Sequence, residues 1–127
     1  MARIMIVDDA LMMRTVLRKI FEKAGHEVVA EAVNGENAIQ EYPRCGPDIV
    51  TMDLTMPGLG GIGALKGIMK IDPLAKVIVV SALGQKHVIF EALQEGAKNY
   101  IIKPLQAEKL LSAIDIVLNE ASFCEAK

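Results

Sequence analysis

Five polar residues of this chain stand at the ends of short apolar runs, and their types suit one chemistry. Asp8 and Asp9 follow IMIV, and Asp53 closes IVTM. Ser81 follows KVIVV, and Lys103, with Pro104 after it, follows YII. If the runs are parallel neighbouring strands, these residues meet at one rim. Three carboxylates brought together repel one another and need a counter-charge at neutral pH. An oxygen-only cluster without His or Cys suits a hard cation, Mg²⁺ above all. Lys103 adds a fixed positive charge. Carboxylate, divalent metal, lysine and hydroxyl together suit phosphoryl transfer, because the cations neutralise charge on the phosphoryl oxygens. Asp53 is then the nucleophile, forming an acyl phosphate, and Ser81 donates a hydrogen bond to a phosphoryl oxygen.

Taken singly, each residue has a plainer reading. A lone Asp or Ser after a strand is by default a cap or turn residue. A lone Lys is solvated, and Tyr100 alone is a half-buried strand residue. The conjunction carries the argument, since four of five strands end in such a group. The exception is the second strand, which ends in Val33-Asn34.

A competing signal overlaps the third strand. Gly58, Gly60 and Gly63 spell G-x-G-x-x-G. A dinucleotide fingerprint opens tightly at the strand end and has an acid about 20 residues on. Here Leu54 to Pro57 intervene, and the next strand ends in Ser81. The glycines are therefore expected to form a loop after Asp53. Gly63 and Gly67 then fall inside a helix, at a cost of about 1 kcal/mol each against Ala.

The elements that must position these groups alternate strand and helix. Ile4–Val7 is the first strand. Met13, Val16, Leu17, Ile20 and Ala24 mark one face of the first helix, and Gly25 stops it. Val28–Val33 is a strand, and Gly35, Ala38, Ile39 and Tyr42 trace a short helix. Ile49–Asp53 is the third strand. Ile62, Leu65, Ile68 and Met69 give a helix that ends near Asp72-Pro73. Lys76–Val80 is the fourth strand, followed by a helix through Ile89, Ala92, Leu93 and Gly96. Tyr100–Ile102 is the fifth, and Leu110, Leu111, Ile114, Val117 and Leu118 belong to the last helix. IVTM and KVIVV are apolar on both faces, as a parallel sheet covered on both sides requires. The expected fold is α/β, a doubly wound five-stranded parallel sheet, with its site at the carboxyl ends of the strands.

Size and composition agree. The 127 residues suit one domain, and 52% hydrophobic residues exclude a disordered chain. A net charge of -2 offers no basic footprint for nucleic acid. No apolar run reaches the roughly 18 residues of a membrane span, and no signal peptide is expected. Cys45 and Cys124 lack metal-like spacing and read as idle thiols of a reducing, cytoplasmic compartment.

The motifs VDDA (Val7–Ala10), MDLTMPG (Met52–Gly58), SALGQ (Ser81–Gln85) and EGAKNYIIKP (Glu95–Pro104) resemble those of response-regulator receiver domains, over Ala2 to about Asn119. The resemblance implies a flavodoxin-like sheet in the order 2-1-3-4-5 with five helices. It implies one receiver domain over 1–127, with a C-terminal tail from about 120. By the same resemblance Asp53 is the phosphoacceptor. Asp9 and Asp53 ligate Mg²⁺ by their carboxylates, Thr55 by its backbone carbonyl, and Asp8 through metal-bound water. Ser81 and Tyr100 form the switch, Lys103 pairs with the phosphoryl group or Asp53, and the bond before Pro104 is cis. Thr55 and Leu83 flank the acceptor and the switch hydroxyl and tune dephosphorylation.

The implied protein is no metabolic enzyme but catalyses its own Mg²⁺-dependent phosphorylation and dephosphorylation. Its implied partners are a chemotaxis-type histidine kinase and an output protein such as the flagellar motor switch. The output partner meets the fourth helix, fifth strand and fifth helix of a monomer. One departure is Gly60, where receivers often carry an acid that caps the third helix. Gly is a fair N-cap, so a cost of a few tenths of a kcal/mol is expected. Within the family the alternative is a phosphorelay intermediate. An aspartate-nucleophile phosphatase would need D-x-D-x-T after the first strand. A flavodoxin-like flavin carrier would need a phosphate loop where Asp8-Asp9 repel phosphate.

Overall fold

The structure, a computed structural model, describes residues 1–82 and 84–126. The Cys124 side chain and Leu83 lie outside the described residues, and so does the role expected of Leu83. Ten elements alternate: β1 (Arg3–Val7), α1 (Leu11–Lys23), β2 (Glu27–Ala32), α2 (Gly35–Cys45), β3 (Ile49–Asp53), α3 (Gly60–Ile71), β4 (Val77–Ser81), α4 (Lys86–Gln94), β5 (Asn99–Ile102) and α5 (Ala107–Ala126). The expected tail from about residue 120 falls on the last turns of α5. All strand pairs are parallel, in the order β2-β1-β3-β4-β5.

The order follows from burial. Every residue of β3 and β4 is buried, so these strands need cover on both faces. β2, with Glu27 and Glu31, keeps to an edge. Strand alternation then divides the core in two. Met5, Val7, Val50, Met52, Val77 and Val79 face α2, α3 and α4. Ile4, Ile6, Ile49, Ile78, Val80 and Ile101 face α1 and α5.

Two helix faces differ from the periodicity. In α1 the buried residues are Leu17 and Phe21, while Val16 is exposed and Ala24 lies past the helix end. The bulky Phe21 turns the helix so that it, rather than Val16, enters the core. In α4 Leu93 stays partly in solvent, and Ile89 and Ala92 carry the contact. Asn34, at the end of the exceptional strand, caps α2. Its side chain accepts from the Asn37 N–H at 2.7 Å, and the Asn37 side chain accepts from the Val33 N–H at 3.1 Å.

Candidate functional site

Asp8, Asp9 and Asp53 meet at the carboxyl end of the sheet, with one carboxylate oxygen of each within 4.8 Å of the others. β1 delivers the first two and β3 the third, because β1 and β3 are paired in register up to Val7 and Met52. Asp8 and Asp53 are buried, and Asp9 is exposed. Burial is the main force that raises the Asp8 pKa above the ordinary carboxylate value, and the Asp53 and Asp9 charges add to it. The Ala10 N–H, which donates to Asp8 Oδ1 at 2.8 Å, and Lys103 pull the other way.

Asp53 Oδ1 accepts from the Thr55 N–H at 3.0 Å and from the Thr55 hydroxyl at 2.9 Å. Lys103 Nζ stands 3.8 Å from the same oxygen. These contacts fix the rotamer of Asp53 through one oxygen. Three carboxylates against one ammonium leave an excess of negative charge that a bound cation would relieve. All the donors are oxygens, so the set fits Mg²⁺: Asp8, Asp9 and Asp53, with the Thr55 carbonyl proposed beside them.

The loop after Asp53 is shaped by glycine. Gly60 does not act as the N-cap; α3 starts at Gly60 itself, after Leu59, which makes no side-chain cap. Its φ of +76° lies where only glycine is unstrained, so the backbone there, more than a missing cap, explains the residue. A Cβ on the next residue, Gly61, would collide with the Asp53 carbonyl oxygen and stand 2.6 Å from Leu54 Cα. The glycines thus let α3 press against the backbone that carries Asp53. Gly67, inside α3, makes room for the Ile39 side chain of α2. Of the G-x-G-x-x-G residues, Gly58 and Gly60 take positive φ in the turn into α3, and Gly63 makes room for the Leu59 side chain.

Ser81 is fully buried at the end of β4, and its hydroxyl donates to Gln85 Oε1 at 2.9 Å. Its carbonyl accepts the Lys103 N–H at 2.8 Å, which ties the fourth strand end to the fifth. The Lys103–Pro104 bond is cis. Tyr100 does not lie at the strand end. It pairs with Val79, whereas Ser81 pairs with Ile102. Tyr100 is 44% exposed and lines a surface groove with Glu108, Lys109, Ser112 and Ile116. Alternation continued one residue past β1 and β5 puts Asp8, Asp53 and Lys103 on the α1/α5 side of the sheet. It puts Ser81 on the other, while Tyr100, on the edge strand β5, lies beside α5.

The sequence pattern assigns no role to two groups of this site. Arg14, on α1, donates from Nη1 to the Asp8 carbonyl at 2.8 Å and from Nε to Glu31 at 3.1 Å. Glu31 also accepts from Arg18 at 2.7 Å, and that bond, with Arg14, lowers its pKa. The pair thereby clamps the Asp8-Asp9 turn to β2. Gln85 is the second, and only its spacing of four residues from Ser81 hinted at a contact.

A family model described as a response regulator receiver domain matches residues 4–115. The chemotaxis protein CheY of Thermotoga maritima is 52% identical over 115 residues, covering 91% of this chain and 96% of that protein. CheY of Bacillus subtilis is 51% identical over 117 residues, 92% and 98% of the two chains. Among solved structures, the CheX-CheY-BeF3-Mg²⁺ complex from Borrelia burgdorferi includes a chain with a TM-score of 0.87 and 38% identity to this one. That match covers 91% of this chain and 88% of the other.

Proposed function

The chain belongs to the response regulator receiver family, and from that premise we propose a chemotaxis signalling switch driven by phosphorylation of Asp53. Its carrying observation is the buried Asp53 carboxylate, held by Thr55 and Lys103 inside a cluster of three acids. Asp53 attacks the phosphorus of a phosphohistidine or a small acyl phosphate, and the leaving group departs with its electron pair. Asp8, Asp9, Asp53 and the Thr55 carbonyl would hold Mg²⁺, which would supply countercharge for the phosphoryl oxygens. Lys103 supplies the rest from the end of β5. Ser81 donates to the phosphoryl group, and Tyr100 responds on the neighbouring strand. Hydrolysis of the acyl phosphate by water resets the switch.

The donor would be a histidine kinase. The output would be a protein such as the flagellar motor switch, bound by a monomer in the cytoplasm at α4, β5 and α5. The CheY relatives support this reading over a phosphorelay intermediate, and the CheX-CheY complex supports effector binding in general. No described helix is long and apolar enough to cross a membrane. Acetyl phosphate with Mg²⁺ is expected to add one phosphoryl group by intact mass, labile to hydroxylamine, and Asp53→Asn is expected to abolish it. Undiminished labelling of Asp53→Asn would move the nucleophile elsewhere.

A further inference from the structure

The Ser81 hydroxyl has two acceptors among the described residues, Gln85 Oε1 at 2.9 Å and, more weakly, the Ala82 carbonyl at 3.4 Å. Gln85 immediately precedes α4. Its φ of −104° and ψ of 45° are not helical, and its side chain caps none of the free N–H groups of the helix. Its own carbonyl accepts from the N–H groups of Val88 and Ile89, each at 3.1 Å. The first turn of α4 therefore hangs from the residue whose amide holds Ser81.

We propose that Gln85 is a positioning residue of the switch, a latch that holds the Ser81 hydroxyl at rest and is released toward α4 when the hydroxyl turns to the phosphoryl group. The proposal rests on Asp53 as the phosphoacceptor. A hydroxyl has one proton to donate. Gln85 offers a neutral acceptor, and a phosphoryl oxygen offers a charged, stronger one. The phosphoryl group wins, but its hold on the active arrangement is reduced by the bond it displaces. Once released, the Gln85 side chain is free to move with the backbone that anchors α4. Ser81 thus has a mechanical link to the helix next to it.

Beryllofluoride with saturating Mg²⁺ is the probe, titrated into the full chain and followed by backbone amide shifts. Gln85→Leu keeps bulk and removes the acceptor, so its apparent affinity for beryllofluoride should rise roughly 2- to 12-fold. Amides of Lys86 to Val88 in the free variant should already shift toward their bound positions. Gln85→Glu offers a charged acceptor and should weaken binding. A role in folding alone would not give opposite signs. In a Ser81→Ala background both Gln85 changes should fall below about twofold, because the latch acts through that hydroxyl.

Intact-mass labelling by acetyl phosphate is run beside it. If the wild type is not labelled at Asp53, the phosphoacceptor reading fails and the latch falls with it. If labelling is normal but Gln85→Leu leaves beryllofluoride affinity unchanged, the latch alone is overturned. It is overturned equally if the Gln85 effects persist without the Ser81 hydroxyl.

Discussion

Two single residues are held at a cost to stability, for different reasons. In the folded chain Asp8 keeps its proton to higher pH than the unfolded value of 3.8. The folded state therefore binds more protons between that value and the raised one, and stability falls as pH climbs through this window. At neutral pH the ionised Asp8 destabilises the metal-free fold. Asp8→Asn keeps an oxygen for the Ala10 N–H and should stabilise the protein in chelator by about 1 kcal/mol, or roughly 3–6 °C in Tm. Calorimetry from pH 4 to 8 should also show a weaker loss of stability with rising pH in the variant. Thr51 is buried in β3 between Ile6 and Ile78, and its hydroxyl finds no partner among the described residues. Thr51→Val removes an unpaired polar group at almost constant volume. A gain of about 1–2 kcal/mol in urea titration is expected, with acetyl phosphate labelling retained.

At the scale of elements, the test lies in how α3 meets its neighbours. A methyl group at Gly61 would press on the backbone of Asp53 and Leu54, which cannot yield without moving the acceptor. Gly61→Ala should cost about 2–3 kcal/mol and slow labelling of Asp53. At Gly67 the obstacle is the tip of Ile39, which can rotate, and the helix regains about 1 kcal/mol of propensity. Gly67→Ala should therefore change stability by less than about 1 kcal/mol in the same titration. Equal losses at the two positions would remove this account of the loop. The strands and their polar ends were legible in the sequence because β3 and β4 are apolar on both faces and β1 and β3 stop at acids. The helix penalty of Gly63 and Gly67 is legible in the sequence, but the room they make for Leu59 and Ile39 is not, since it depends on what packs against them. Arg14 and Glu31 went unseen because their pairing is made by the docking of α1 on β2. Gln85 went unseen because a neutral amide leaves no pattern of charge.

For the molecule as a whole, cation binding and folding are one equilibrium. A ligand that binds only the folded state stabilises it by about 2.7 kcal/mol at one hundred times its Kd. Mg²⁺ should raise the Tm of the wild type by several degrees, and Asp9→Ala should lose most of that rise. An undiminished rise in Asp9→Ala would place the cation elsewhere. The sheet has one further consequence. Asp8, Asp53 and Lys103 belong to its α1/α5 side, Ser81 turns to its α2–α4 side, and Tyr100 sits on the edge strand beside α5. The sheet is thus a bulkhead that only Ser81 crosses at the rim, with the chemistry in one compartment and the α4 part of the display in the other. Descendants of such a chain can rewrite the surface of α4 and the β5 edge, and so the audience of the signal, while the rim that receives it stays as it is.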